Sequence, residues 1–171
     1  MKTARDSYSV FLVDDDKMFL SSLKNTLNQQ FRSGIEVSTF TNGEECLKEL
    51  ETNPDIVVLD YYLNDDQHPN AMDGMEVLKK IKETSQDSMV IMLSGQDKLQ
   101  VALDSIKNGA YEYIAKSESA FVRIQNVIKN SIANIKDARE NKVYQKWNVI
   151  MAVTIFVVLL IDLIYYYAGH Y

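Results

Sequence analysis

Residues 54–63 read PDIVVLDYYL, and they give the clearest indication of how the chain folds. Pro54 and Asp55 break the preceding segment, and residues 56–59 form an apolar run rich in β-branched side chains. Such a run, bounded by breakers, is typical of a strand that is buried on both faces of its sheet. Asp60 follows at once, so the predicted strand ends on a carboxylate.

Comparable apolar runs recur along the chain and alternate with amphipathic segments. We predict five strands, at 8–13, 35–40, 56–59, 89–93 and 111–115. Helices are predicted near 17–30, 42–50, 73–83 and 98–108, with a last helix from about 118. The first helix is expected to turn Met18, Leu20, Leu23 and Leu27 toward the core. This alternation predicts an α/β fold, a doubly wound parallel sheet with right-handed crossovers and helices on both faces.

The composition excludes several classes of protein. The 171 residues suit one domain with an appendage, and the net charge is −6. An acidic balance argues against a nucleic-acid-binding surface, which requires clustered Lys and Arg. Cys46 is the only cysteine, which excludes an intrachain disulfide and a cysteine-rich zinc site. The two histidines, His68 and His170, are far apart in sequence, which argues against a histidine-rich metal site.

Chemically active side chains follow four of the five predicted strands. They are Asp14, Asp15 and Asp16 after the first strand, Asp60 after the third, Ser94 after the fourth and Lys116 after the fifth. The carboxyl ends of parallel strands share one edge of the sheet, so these groups should converge there. Crowded carboxylates repel one another unless a cation joins them, and such oxygen ligands suit Mg²⁺. A metal, an ammonium and a hydroxyl can together bind a phosphoryl group, with the central aspartate as its acceptor.

These residues resemble the receiver domain of two-component response regulators, over about residues 7–135. Asp14 and Asp15 match the metal-binding acids of that family, and Asp60 matches its phosphoacceptor. The remaining matches are Ser94 with the family hydroxyl, Lys116 with the family lysine, Tyr113 with the switch aromatic, and Met72-Asp73-Gly74 with the opening of the third helix. The resemblance implies a flavodoxin-like fold of strand order 2-1-3-4-5.

The resemblance also implies a mechanism and partners. Mg²⁺ would be held by Asp14, Asp15, Asp60 and the backbone carbonyl of Tyr62. A sensor histidine kinase or phosphotransfer protein would donate the phosphoryl group. Ser94 and Lys116 would hold its oxygens, and Ser94 and Tyr113 would then switch a docking surface. Such a receiver catalyses its own phosphorylation and its own dephosphorylation. We therefore do not expect it to be a turnover enzyme.

The chain departs from the family pattern in three places. The loop at 64–70 is about six residues longer than usual, and its Asp65, Asp66 and His68 either bind a second metal or are simply solvated. The bulky ring of Tyr62 is expected to shield the acyl phosphate from water. Ser117 stands where the family usually has a proline.

The C-terminal segment is predicted to cross a membrane. Residues 149–167 contain one charged residue, Asp162, and no Lys, Arg, Gly or Pro. A helix of that length spans about 28 Å, close to the ~30 Å core of a bilayer. Its twelve Val, Ile, Leu and Phe residues favour insertion by about 4–7 kcal/mol, whereas the aspartate opposes it by at most about 3 kcal/mol. The alternatives are a buried core helix or a helix that mediates oligomerisation.

Flanking residues give an orientation. Trp147 and the tyrosines at 165–167 lie where an aromatic belt would form, and the basic residues Lys136, Arg139, Lys142 and Lys146 all precede the segment. We therefore expect a single-pass protein of the inner (cytoplasmic) membrane, with its N-terminal domain in the cytoplasm. The expected organisation is a receiver at 1–135, a basic helical extension at 136–147, a transmembrane helix at 148–168 and a tail at 169–171.

Residues 136–147 are too few for an output module, so output should be protein docking at a membrane, with no DNA binding. The downstream protein is unidentified, and a homodimer through the last helix is possible. A receiver-like adaptor that does not turn over is an alternative. A haloacid-dehalogenase-type phosphatase would need its nucleophile after strand one, whereas the central acid of this chain, Asp60, follows strand three. A flavin or nucleotide binder would need a Ser/Thr/Gly phosphate loop after strand one, where this chain has Asp14-Asp15-Asp16.

Overall fold

The structure, a computed structural model, describes residues 7–63, 71–95 and 99–168, apart from the side chains at 162–163 and 165–167. The strands are β1 Tyr8–Val13, β2 Ile35–Phe40, β3 Ile56–Asp60, β4 Met89–Ser94 and β5 Glu112–Ala115. The α-helices are α1 Lys17–Phe31, α2 Gly43–Lys48, α3 Gly74–Thr84, α4 Leu99–Lys107 and α5 Ala120–Ala168. Single 3₁₀ turns follow α1 at Arg32–Gly34 and α2 at Leu50–Thr52.

All five strands form one parallel sheet of order β2-β1-β3-β4-β5, as the sequence predicted. β3 is the central strand, and all of its residues are buried. In the register of the sheet, Val13 pairs with Leu59 and Asp60 pairs with Leu93. The carboxyl ends of β1, β3 and β4 are therefore level, which places the residues that follow them side by side.

The core lies on both faces of the sheet. Successive strand residues point to opposite faces, so Val57 and Leu59 share one face. They pack in a buried cluster with Val77, Leu78 and Ile81 of α3. The rest of the core is formed by buried side chains of β1, β3, α1 and α5. They are Val10 and Leu12, Ile56 and Val58, Leu20, Leu23 and Leu27, and Ile124 and Ile128, respectively. Coverage on both faces explains why β3 is apolar without alternation.

Met18 does not face the core, and this prediction is wrong. Its side chain is 81% exposed, whereas Leu20, Leu23 and Leu27 are buried as expected. Helical residues advance by about 100° each, so Met18 lies roughly 200° from Leu20, on the other side of α1.

Polar caps set the starts of three helices. Asp16 caps α1 by accepting the backbone N–H groups of Met18 and Phe19, and Asn42 accepts Glu45 N–H at the start of α2. Asp73 and Glu76 form a reciprocal capping box at α3. These caps end the loops that leave the carboxyl edge of the sheet.

The chain divides after Ile132 into two compact units. In the second unit every residue from 149 to 161 is exposed, and all but Thr154 are apolar. The Thr154 hydroxyl donates to the carbonyl of Ile150, 2.6 Å away, so this polar group is satisfied within the helix. Among the described residues, one helix is long and apolar enough to cross a membrane, and it is this one. The tail at 169–171 lies outside the described residues.

Candidate functional site

The predicted site residues meet at the carboxyl edge of the sheet. Asp14 follows β1, Asp60 ends β3, Ser94 ends β4 and Lys116 follows β5. Backbone hydrogen bonds continue the sheet ladder through these positions: Asp14 N–H donates to Phe40 O over 3.1 Å, and Lys116 N–H donates to Ser94 O over 2.7 Å. The sheet thus fixes the backbone of the site, and the structure brings the four residues together as the sequence predicted.

One lysine bridges two buried acids. Lys116 Nζ lies 2.7 Å from Asp14 Oδ2 and 2.9 Å from Asp60 Oδ2. The exposed fraction is 1% for Asp14 and 3% for Asp60, whereas Asp15 is exposed. Ligand oxygens of the three aspartates lie within 4.8 Å of one another. The site therefore holds three carboxylates and one ammonium at close range.

Burial and charge shift the titration of these groups. Burial raises the pKa of Asp60 to about 6, although the Lys116 ammonium opposes this rise. Burial also raises the pKa of Asp14, again against the hydrogen bond and charge of Lys116. For Lys116, burial alone would lower the pKa, but the ion pairs with both aspartates outweigh burial and raise it. Two buried carboxylates therefore share one ammonium, and the site carries an excess of negative charge.

The donor set fits a hard divalent cation. Asp14 Oδ1 accepts the backbone N–H of Asp16 over 3.0 Å, and both Oδ2 atoms contact Lys116. Asp60 Oδ1 is buried and has no hydrogen-bond partner within the described part of the chain. A buried carboxylate oxygen without a partner is costly, and Mg²⁺ takes carboxylate oxygens as ligands. The predicted ligands Asp14, Asp15 and Asp60 are suitably grouped, and the Tyr62 carbonyl remains a predicted ligand.

We expect Asp60→Asn to stabilise the metal-free chain at about pH 7.5 by up to about 3 kcal/mol. The folded-state pKa of Asp60 lies at about 6, above its ordinary value of 3.8. The protonated carboxyl is therefore favoured by folding at low pH, and this contribution is lost as the pH rises through about 6. Asparagine does not ionise and avoids that loss. Urea unfolding in EDTA, at about pH 5 and about pH 7.5, measures the difference.

Mg²⁺ provides the control for this stability measurement. Added Mg²⁺ should stabilise the wild-type chain more than the Asp60→Asn variant, because the variant lacks a ligand. A stability difference between the two proteins that is independent of pH would contradict the shifted pKa of Asp60.

Gly74 lets α3 start directly against the end of β3. A Cβ atom at this position would overlap the carbonyl oxygen of Asp60 and lie 2.7 Å from Tyr61 Cα. Gly74 N–H also donates to Tyr61 O over 2.9 Å. Both neighbours are backbone atoms that cannot rotate away, so only glycine permits this approach. This explains the Met72-Asp73-Gly74 match in structural terms.

Gly74→Ala should therefore destabilise the chain by about 2–3 kcal/mol, because the added methyl group forces the helix and strand apart. The matched control is Gly34→Ala, since a Cβ at Gly34 meets no atom within 4 Å. Chemical denaturation of both variants measures the two costs. Equal effects at Gly74 and Gly34 would show that the close approach does not constrain the fold.

The remaining predicted residues surround this centre. Ser94 is fully buried, and Tyr113 is half-buried against the core cluster that contains Val57 and Leu59. The Tyr62 side chain is 37% exposed, with its ring 4.8 Å from that of Tyr61. The loop at 64–70, with Asp65, Asp66 and His68, lies outside the described residues.

Phe19 is a site residue that the sequence did not reveal. Lys116 Nζ lies over the Phe19 ring, 4.8 Å from its centroid. This contact depends on how α1 packs over the sheet edge, and the regular helical pattern of apolar residues does not mark it. The only signal in sequence is the fixed distance of Phe19 from its cap, Asp16.

Comparison with known proteins identifies the family. The sequence matches the family model described as "Response regulator receiver domain" over residues 10–129. The alkaline phosphatase synthesis transcriptional regulatory protein PhoP of Bacillus subtilis is 30% identical over 126 residues, which cover 71% of this chain and 49% of PhoP. The C4-dicarboxylate transport transcriptional regulatory protein DctD of Rhizobium meliloti is 31% identical over 118 residues, which cover 69% of this chain and 24% of DctD.

Solved structures agree with the sequence relatives. A CheY-like receiver domain protein from Methanospirillum hungatei aligns with a TM-score of 0.63 at 26% identity, over 77% of this chain and 98% of that one. The BeF3-activated DrrB receiver domain aligns with a TM-score of 0.62 at 27% identity, over 74% of this chain and 98% of that one. This chain spans about half or less of the length of PhoP and DctD. The match to the family model, the sequence relatives and the shared sheet show that the chain belongs to the response regulator receiver domain family.

Proposed function

We propose that this chain is a phosphorelay receiver that accepts a phosphoryl group on Asp60 in a Mg²⁺-dependent reaction. A sensor histidine kinase or a phosphotransfer protein supplies the group. The observation that carries the proposal is the position of Asp60, which is buried at the centre of the site. One of its oxygens pairs with Lys116, and the other has no hydrogen-bond partner among the described residues. A carboxylate placed among a cation-binding cluster, an ammonium and a hydroxyl is suited to attack phosphorus.

The reaction exchanges one bond to phosphorus for another. An Asp60 carboxylate oxygen attacks the phosphorus of a phosphohistidine, forming an O–P bond while the N–P bond breaks. The imidazole nitrogen keeps the electron pair of the broken bond and leaves. Hydrolysis later returns the carboxylate and releases inorganic phosphate. Water supplies the oxygen that the released phosphate gains. The phosphorylated state of the chain is itself the proposed output, so we do not propose a turnover enzyme.

Each neighbouring side chain has a separate part in this step. Asp14, Asp15, Asp60 and the Tyr62 carbonyl would hold Mg²⁺, which when bound neutralises charge on the phosphoryl oxygens. Lys116 lies close enough to Asp60 to pair with one phosphoryl oxygen. The Ser94 hydroxyl, on the neighbouring strand end, donates to another.

Phosphorylation then changes the surface. The new group adds about −1.5 to −2 charge beside Ser94, which draws that hydroxyl toward it. Tyr113 can rotate into the space that Ser94 leaves. Helix α4 carries exposed Leu99, Leu103 and Ile106, and a partner docking on α4, β5 and α5 would sense the change.

Tyr62→Asn should speed the loss of phosphate from Asp60. Tyr62 lies two residues after the acceptor, where its ring limits access of water to the acyl phosphate. A smaller polar side chain should admit and orient water, and we expect a rate increase of about tenfold. Decay of the phosphorylated chain after removal of the phosphodonor measures this rate. Tyr62→Phe keeps the ring and serves as the control, and an unchanged half-life in Tyr62→Asn would exclude the shielding role.

The membrane is the proposed place of action. The exposed apolar helix at 149–161 supports single-pass insertion in the inner (cytoplasmic) membrane, and the basic residues at 136–146 support a cytoplasmic receiver. PhoP and DctD are transcriptional regulators by name, but this chain matches only part of each. The net charge of −6 supports a protein partner, or a second copy of the chain, instead of DNA.

Phosphorylation by acetyl phosphate tests the proposal. The full chain in detergent micelles should take up one phosphoryl group in the presence of Mg²⁺ and none in EDTA, as measured by intact-protein mass. No mass increase under either condition, in a chain whose circular dichroism shows it folded, would support the alternative of a receiver-like adaptor.

A further inference from the structure

Within the part of the chain that the structure describes, three groups hold the Lys116 ammonium. Two are the carboxylates of Asp14 and Asp60, at 2.7 and 2.9 Å. The third is the face of the Phe19 ring, whose centroid lies 4.8 Å from Nζ. The Lys116 side chain is only 22% exposed, so the ring contacts a cation that is largely removed from water. An aromatic face attracts such a cation through its negative quadrupole.

Phe19 is fixed from two sides. Its backbone N–H donates to Asp16 Oδ1 over 3.0 Å, and Asp16 N–H in turn donates to Asp14 Oδ1 over 3.0 Å. Its ring meets the ring of Phe121, on the first turn of α5, edge to face with centroids 5.2 Å apart. The ring under Lys116 is therefore tied both to a site acid and to α5.

We propose that Phe19 is a positioning residue for phosphoryl transfer: its ring holds the Lys116 ammonium beside Asp60, and Phe121 holds the ring. This inference rests on the proposed function of Asp60. When Asp60 becomes an acyl phosphate, its carboxylate no longer pairs with Lys116 in the same way. The contact with Phe19 does not depend on the state of Asp60, so it keeps the long lysine side chain ordered while the ammonium changes partners.

A simple packing role for Phe19 makes a different prediction. If Phe19 only fills space between α1 and α5, leucine should replace it well, and any loss of binding should follow loss of stability. If the ring face holds Lys116, leucine should fail and tyrosine, which keeps the face, should succeed. The two roles thus separate in conservative variants of one position.

Beryllofluoride, a phosphoryl analogue, measures the positioning directly. In the full chain in micelles, Phe19→Leu should weaken beryllofluoride binding in saturating Mg²⁺ by about fivefold, and Phe19→Tyr should restore it. Mg²⁺ affinity without beryllofluoride should stay within about twofold of wild type, because the ring face contacts Lys116, which is not one of the predicted metal ligands. Unchanged beryllofluoride affinity in Phe19→Leu, or failure of Phe19→Tyr to restore it, would overturn the proposal.

A metal-free double-mutant cycle gives an independent readout. Phe19→Leu should raise the unfolding equilibrium constant, and so favour the unfolded chain, by a factor about fivefold larger when Lys116 is present than in a Lys116→Met background. Equal effects in both backgrounds would show that Phe19 and Lys116 are not coupled and would overturn the proposal. If the wild-type chain itself binds no beryllofluoride and takes no phosphoryl group, the function proposed for Asp60 fails. If the wild-type chain binds beryllofluoride and the Phe19→Leu variant binds it equally well, only the role of Phe19 is refuted.

Discussion

Asp60→Asn should abolish Mg²⁺-dependent phosphorylation by acetyl phosphate, reducing the incorporated phosphate by at least about 100-fold. The amide of asparagine is a poor nucleophile and a weaker metal ligand than a carboxylate. Asp14 cannot substitute for Asp60, because its Oδ1 accepts Asp16 N–H and its Oδ2 pairs with Lys116. Incorporation of phosphate after a fixed incubation measures the effect. Circular dichroism of the variant in the labelling buffer distinguishes loss of the acceptor from unfolding.

Asp55→Asn is the matched control for Asp60→Asn. Asp55 is also buried and precedes the same strand, β3, at its opposite end. Its side chain accepts the backbone N–H of Ser9 over 3.0 Å, a bond that an asparagine oxygen can keep. This variant should label like wild type. Loss of labelling in both variants would indicate a general defect of the sheet and would contradict a specific role for Asp60.

Removal of the apolar part of α5 should release the protein from the membrane. A chain ending at Lys146 lacks residues whose insertion is worth about 4–7 kcal/mol, or about 1–4 kcal/mol after the cost of Asp162. This corresponds to a change in membrane partitioning of about fivefold to about 1,000-fold. After expression, membranes are washed in alkaline carbonate, and the distribution of each chain between pellet and supernatant is measured. The full chain should stay in the pellet, and the shortened chain should not.

A full-length variant controls for the truncation. Arginine at both Val157 and Leu160 costs about 6 kcal/mol at mid-span and should cancel insertion without shortening the chain. Both the shortened chain and this variant should still accept phosphate from acetyl phosphate, which shows that the receiver is folded. If the full chain is also extracted by carbonate, the helix is an assembly element, and dimerisation becomes the leading explanation of its apolar surface.

Much of the fold follows from short apolar runs with clear boundaries. β3 could be predicted because Pro54 and Asp55 precede it and an acid ends it. The third helix was predicted from about residue 73, and in the structure Asp73 caps it. The burial of Met18 was predicted wrongly, although helix geometry alone argues against it. Met18 lies two residues before Leu20, so the two side chains point about 200° apart around the helix.

The site was predictable to the extent that it depends on strand ends. Asp60, Ser94 and Lys116 each end or follow a parallel strand, and the carboxyl ends of such strands share one edge. The sequence Asp14-Asp15-Asp16 did not show which acid is buried. Only Asp14 is buried, because its N–H still pairs with β2 through Phe40 O and so keeps it in the sheet.

Contacts made by helices over the sheet edge could not be predicted. The ring of Phe19 reaches Lys116 because the start of α1 lies beside the start of α5, where Phe19 meets Phe121, and no local pattern in either segment encodes that distance. Likewise, Gly74 is essential because α3 starts against Asp60 O, a contact between backbones. Both features depend on tertiary packing, which short-range propensities do not report.

Chemical mapping of the phosphoryl group tests whether Asp60 is the phosphoacceptor. The full chain is incubated with acetyl phosphate and Mg²⁺, and borohydride then reduces any aspartyl phosphate to homoserine, which peptide mass spectrometry locates. We predict reduction at Asp60 alone, dependent on Mg²⁺ and absent in Asp60→Asn. Homoserine at another aspartate, or none in a folded chain with Mg²⁺ present, would contradict the role of Asp60 as phosphoacceptor.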